Sequence, residues 1–115
     1  MQCTTIGIDI AKSVFQLSVA NQAGKIIERN RLTRGQFERY LYKQSQSKLV
    51  MEACGTAHHW ARTAVEAGHE VVLLHPGYVK PYVRRNKTDS ADADALVQAS
   101  RDPELKPVLT KSRHF

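Results

Sequence analysis

The chain has 115 residues, 42% of them hydrophobic, with four prolines and a formal net charge of +6. This length accommodates one small core and no second one, and the composition excludes a disordered tail. No apolar run approaches the roughly 20 residues that cross a bilayer, and the N-terminus lacks the order of a secretory signal, so the expected compartment is the cytoplasm. The first third predicts three strands. Thr4–Ile10 is β-branched, with Ile6, Ile8 and Ile10 on one face at period two. Residues 14–19 form a second strand, Asn21-Gln22-Ala23-Gly24 supplies turn chemistry, and residues 25–32 return as a third. Connections this short make an antiparallel meander.

The period then changes. Residues 34–46 carry Phe37, Leu41 and Tyr40 on one side at helical spacing. Residues 48–52, Lys-Leu-Val-Met-Glu, suit a buried strand that ends in a charge. Residues 57–67 predict a helix through Trp60, Ala61, Ala64 and Val65, stopped by Gly68 in the C′ position. A fifth strand covers 69–74, and Pro76-Gly77 breaks it. A short irregular or helical piece over 78–85 surrounds Pro81, and an Ala-rich helix over 89–100 stops at Asp102-Pro103. Residues 1–102 are thus expected to form the folded unit, and 103–115 a linker toward a further domain. The order β-β-β-α-β-α-β-α predicts an α/β fold with a mixed five-stranded sheet and helices packed on its faces. It matches the ribonuclease-H-like order, a fold-level analogy.

Cys3 and Cys54 are distant and outside any C-x-x-C pair, which argues against a zinc site or disulfide framework. Both are expected as reduced thiols, with Cys54 in the interior. The basic charge is clustered. Lys25, Arg29, Arg31, Arg34, Arg39, Lys43 and Lys48 stand against Glu28 and Glu38, and a second cluster is Lys80, Arg84, Arg85 and Lys87. Such clusters suit a polyanionic partner, because they gain affinity by displacing phosphate counterions; a solvated charged surface is the plainer alternative. His58 and His59 are expected on a helix surface or partly packed, and Tyr78 and Tyr82 in packing rather than base stacking.

Four carboxylates carry the chemistry. Asp9 lies inside the most hydrophobic strand, and Glu52 closes the apolar run Leu49-Val50-Met51. An ionised group in an apolar strand is costly unless it is paired or holds a metal. Asp89 and Asp92 open the last helix. At about 100° per residue they share a side with Ala95, Leu96 and Ala99, the face that must meet the sheet, whereas Asp94 points away and is expected in solvent. First-turn acids also favour the helix dipole, which accounts for Asp89 well and Asp92 only partly. Carboxylates gathered together repel unless a cation sits among them, and hard oxygen donors suit Mg²⁺ or Mn²⁺. Two such ions can bind the attacking and leaving oxygens of an in-line phosphoryl displacement, with Asp9, on the most rigid element, bridging them.

Gly7-Ile8-Asp9-Ile10-Ala11-Lys12, then Met51-Glu52-Ala53-Cys54-Gly55, then Lys87-Thr88-Asp89-Ser90-Ala91-Asp92-Ala93 together resemble the DEDD transposases of the insertion sequence one-ten family. The resemblance covers nearly the whole chain, in the family's order. It implies a RuvC-like fold, divalent-metal dependence, DNA as substrate, a structured guide (bridge) RNA as partner, and a homo-oligomer in the full-length protein. Matched motif by motif, the family's catalytic acids fall on Asp9, Glu52, Asp89 and Asp92. Members of the family continue into a second domain with a serine that attacks the DNA backbone. Nothing here matches it, and Ser112 in the tail does not take that role, so the chain is expected to be a cut or truncated piece. Beside the acids, Lys12, Arg84, Arg85 and Lys87 are candidates for phosphate contacts. Two other readings remain: an inactive fragment that binds nucleic acid through its basic clusters, and an actin-like ATPase lobe, whose opening strand Gly7-Ile8-Asp9 also resembles. The lack of a Gly-rich phosphate loop before the second strand counts against the lobe.

Overall fold

The computed structural model describes residues 4–11, 13–83 and 91–105. Strands β1 (Thr4–Ile10), β2 (Val14–Ala20), β3 (Ile26–Thr33), β4 (Ser47–Glu52) and β5 (Glu70–Leu74) form one five-stranded sheet in the order β3-β2-β1-β4-β5. The hairpin-linked strands β1, β2 and β3 run antiparallel, whereas β4 lies parallel to β1 and β5 parallel to β4. Parallel neighbours require crossovers, and helices α1 (Arg34–Lys43) and α2 (Gly55–Glu66) supply them. A four-residue helix α3 (Pro76–Val79) runs into a 3-10 turn (Lys80–Tyr82), and α4 (Ala91–Ser100) is the last helix. The expected mixed sheet is therefore present, with helices on both faces.

Alternation along the strands sorts side chains to two cores. Ile6, Ile8, Phe15, Leu17, Leu49, Met51 and Leu73 meet Phe37 and Leu41 of α1 and Trp60, Ala61 and Ala64 of α2. Phe15, Phe37 and Trp60 are mutually in contact, with ring centroids 4.7–5.2 Å apart. Each buried aromatic or leucine here contributes roughly 1.5–3 kcal/mol from desolvation. The opposite face is thinner and built of smaller groups: Val50, Leu74, Val79, Ala95, Leu96 and Ala99. Alanines let α4 lie close to the sheet. At Gly7 the approach is so tight that a Cβ would sit 2.3 Å from the Ala93 carbonyl oxygen and 3.0 Å from Val97 Cγ2. Only a hydrogen fits between β1 and α4 at that point.

Local chemistry sets the helix ends. Thr33 caps α1: its hydroxyl accepts from the Gln36 amide at 3.2 Å while its own amide donates to Gln36 Oε1 at 2.9 Å. This closes a capping box. The helix ends at Lys43, three residues before the expected 46, because Gln44 turns extended to lead into β4. Buried His69 secures that exit. Its Nδ1 accepts from the Ser47 amide at 3.1 Å, so its Nε2 carries the proton and donates to the Leu41 carbonyl at 2.6 Å. That carbonyl belongs to the last turn of α1, where intrahelical donors run out. At the end of α2, Gly68 adopts φ +99°, and the amides of Gly68 and His69 donate to the carbonyls of Val65 and Ala64 at 3.0 Å each. This is a Schellman stop, with Gly68 in the expected position.

Candidate active site

The alternation that sends Ile6 and Ile8 into the α1/α2 core turns Gly7 and Asp9 to the other face, beneath α4. In β4, Leu49 and Met51 share the face of Ile6 and Ile8, so Val50 and Glu52 share that of Asp9. The parallel register pairs Gly7 with Val50 and Ile8 with Met51, which brings Asp9 and Glu52 to the same end of adjacent strands. Asp92 reaches the same place from the first turn of α4. Asp9 and Asp92 are half-buried and Glu52 is exposed. All three line one pocket of about 490 Å³, together with Pro76, Gly77, Val79, Lys80, Val83 and Leu96.

The topology accounts for the pocket. From β1 the chain leaves toward β2 on one side, and β4 arrives on the other, so the carboxyl ends of β1 and β4 flank a switch in strand order. Crevices at such points are where open α/β sheets bind ligands. Val79, Val83 and Leu96 give the pocket an apolar wall, which strengthens electrostatic interactions within it. Three carboxylates facing Lys80 make a site of hard oxygen donors, a donor set that fits a divalent cation of the Mg²⁺ class. Among the described residues no three His, Cys, Asp or Glu side chains are grouped closely enough to form a finished metal cluster. Neither Asp9 nor Asp92 is without an interaction partner. The expected fourth acid, Asp89, lies outside the described residues, as do Cys3 and the phosphate-contact candidates Lys12, Arg84, Arg85 and Lys87.

Several expectations are corrected. Asp94 does point away from Asp92, but into a partner rather than into water. Its carboxylate accepts from Arg29 Nε at 3.2 Å and Nη2 at 2.9 Å, and from the hydroxyl of the fully buried Ser18. Asp94 in turn holds Arg29 more firmly protonated than usual, chiefly through the hydrogen bond. Arg29 therefore leaves the free basic cluster and is committed to a surface ion pair that ties β3 to α4. Cys54 is exposed at the start of α2, not buried. Tyr78 is also exposed, resting against His75 at 5.9 Å between ring centroids. Tyr82 does pack against the thinner core, and its hydroxyl donates to Asp102 at 3.0 Å, which raises its pKa. His58 is half-buried and His59 exposed, on a helix across the sheet from the acids.

Sequence reasoning missed the wall opposite the acids. Lys80 stood only as a member of a basic cluster, Pro76-Gly77 only as a strand breaker and Leu96 only as a packing residue of α4, and Val79 and Val83 had no role. The signal available was the position of Pro76-Gly77 directly after β5, since loops at the carboxyl ends of parallel strands gather around the switch point.

Comparison with known proteins agrees with this architecture. A transposase family profile, of the DEDD type named for IS110, matches residues 6–115. The chain is 42% identical over 111 residues to a Sinorhizobium fredii protein of transposase name (y4pF/y4sB), covering 96% of this chain and 29% of that protein. It is 40% identical over 107 residues to the transposase for insertion sequence element IS1111A of Coxiella burnetii, covering 93% of this chain and again 29% of the relative. The chain thus spans less than a third of the length of these relatives. In structure it resembles Thermus thermophilus RuvC, solved in complex with a Holliday junction substrate, with a TM-score of 0.66 at 15% identity over 92% of this chain and 99% of that one. The fold is therefore RuvC-like, that is, ribonuclease-H-like. By the match of its sequence over almost its full extent, the chain belongs to the IS110 family of DEDD transposases.

Proposed function

We propose that this chain supplies the acidic, metal-dependent DNA-cleaving domain of a transposase, working in insertion-sequence transposition. The observation that carries this reading is the convergence of Asp9, Glu52 and Asp92 on one pocket at the ends of two parallel strands. Asp9, Glu52, Asp89 and Asp92 are the catalytic carboxylates, and they hold Mg²⁺ or Mn²⁺. The ion supplies charge stabilisation for an in-line displacement at a DNA phosphate. The chain's own contribution is to fix the donors: Asp9 and Glu52 through the β1–β4 register, and Asp92 through the seat of α4 on Gly7. The wall of Val79, Val83 and Leu96 limits water on one side. Lys12, Arg84, Arg85 and Lys87 contact backbone phosphates, which positions DNA without reading its sequence.

In the same reading residues 1–102 are the catalytic unit and 103–115 a linker. A structured guide RNA and further copies of the full-length transposase are partners in the cytoplasm, and strand transfer is completed by the rest of the longer protein. A Mn²⁺ titration of thermal stability tests the central claim. Any species bound only by the folded state raises the melting temperature by mass action. The wild-type chain should gain stability with Mn²⁺, and Asp92→Ala should lose that gain. Equal Mn²⁺-dependent stabilisation of the two proteins would overturn the assignment.

A further inference from the structure

Three consecutive residues of α4 face three different neighbours. Asp92 lines the acidic pocket, Ala93 rests its carbonyl over Gly7, and Asp94 is gripped by the β2–β3 hairpin through Ser18 and Arg29. The contact with Gly7 sets how close the helix lies to the sheet but does little to stop it rolling about its axis. The grip on Asp94 acts off the helix axis, beside the packing of Ala95, Leu96 and Ala99 in the thinner core. Arg29 reaches from β3 with a two-pronged guanidinium, Nε to Oδ1 at 3.2 Å and Nη2 to Oδ2 at 2.9 Å, a geometry that fixes direction as well as distance. The far end of α4 is tied to the same hairpin. The Arg101 side chain lies over Gly24, and its Nη1 donates to the Gln22 carbonyl at 3.4 Å.

We infer that the Arg29–Asp94 pair is a positioning device: it sets the roll of α4 and thereby aims the Asp92 carboxylate into the pocket. This rests on the reading of that pocket as a metal site. Two residues along a helix are about 200° apart, so a torque held at Asp94 is felt on the opposite side at Asp92. Metal-binding and catalytic groups tolerate misaim of only about 10–20°. Neither Arg29 nor Asp94 is a catalytic residue here; both act through Asp92.

Arg29→Ala separates this role from its alternatives by sign. Arg29 is about half exposed, with 52% of its side chain accessible, so its removal leaves the cores intact. If its charge alone mattered, deleting a cation near an acidic site would tighten Mn²⁺ binding. If it served only general stability, the metal-free melting temperature would fall and the Mn²⁺ dissociation constant would stay unchanged. A positioning role predicts the opposite of the charge effect: Mn²⁺ binding weaker by about tenfold, the lower end of what groups acting through a ligand contribute. The experiment is a Mn²⁺ titration read by thermal shift on wild type, Arg29→Ala, Arg29→Lys and Asp94→Asn. The expected result is weaker binding in Arg29→Ala and Asp94→Asn, with partial recovery in Arg29→Lys, which keeps the charge but loses the fork. Unchanged or tighter binding in Arg29→Ala, with wild type responding normally, overturns the positioning role alone. Absence of any Mn²⁺ response in wild type instead overturns the metal site, and the positioning role with it.

Discussion

The two faces of the sheet are built to different specifications. The face under α1 and α2 is thick and aromatic: Phe15, Phe37 and Trp60 interlock, and leucines and isoleucines fill the space around them. The face under α4 is thin, made mainly of alanines, valines and a glycine with two leucines, and the candidate acids stand at its edge. Bulk stabilises the first face. Closeness characterises the second, because small residues let a helix backbone come near enough for acids on strand and helix to share one pocket. Stability and site geometry are thus largely assigned to opposite sides of one sheet, and substitutions on each side should have separable effects.

The largest expected effect is on the thick face. Phe37→Ala should cost about 3–5 kcal/mol in chemical denaturation, the usual penalty for removing a buried aromatic ring. Any of the variant that stays folded should still respond to Mn²⁺; loss of that response would erase the proposed separation. His69→Ala comes next. It leaves the Ser47 amide and the Leu41 carbonyl unsatisfied in the interior, at about 1–3 kcal/mol for each group. A denaturation midpoint within error of wild type would show that water replaces the ring.

Gly7→Ala tests the thin face. Overpacking of this kind costs about 1–3 kcal/mol, less than the loss of Phe37, yet it must lift α4 away from β1. Its Mn²⁺ response should therefore fall much further than its stability, and a full response at reduced stability would contradict the role given to closeness. Thr33→Ala removes the α1 cap and should cost about 1 kcal/mol with no change in Mn²⁺ binding. The smallest effect is alkaline. Burial, helped by the Glu28 charge, pushes Tyr40 from 10.0 up to about 12. A raised folded value means that its neutral phenol supports folding fully below about pH 10, and that this support fades as pH rises through 12. In an ultraviolet titration part of the tyrosine signal should appear only as pH rises toward about 12, and a single tyrosine transition near 10 would contradict the placement of Tyr40.

Much of this was legible in the residues. The alternation of Ile6, Ile8 and Ile10 put Asp9 on the other side of β1, whereas the continuous apolar run Leu49-Val50-Met51 has no alternation from which to orient Glu52. A helical wheel put Asp92 on the packed side. What it could not tell was the neighbour on the other side: Asp94 points away from Asp92 as expected, but the β2–β3 hairpin rather than water covers it. The wall from Pro76 to Val83 escaped because helices this short have no period to read. Cys54 misled because its residue type favours burial while its position, just ahead of α2, does not. The early end of α1 depends on His69, a partner 28 residues beyond Leu41, which no local pattern signals.

Gly7 carries a consequence for how such a domain can diversify. With only a hydrogen between β1 and the α4 backbone, the gap between a strand acid and a helix acid is written into main-chain positions and not into adjustable side-chain rotamers. A descendant that acquired any larger residue there would have to rebuild the helix seat. The opposite wall, hung on the end of β5 by a short helix and a turn, is constrained at Val79, Tyr82 and Val83, which pack against the thin core, and its exposed positions can exchange more freely. Variation around the pocket should therefore accumulate at the exposed positions between Pro76 and Pro81, while the spacing set by Gly7 stays as it is.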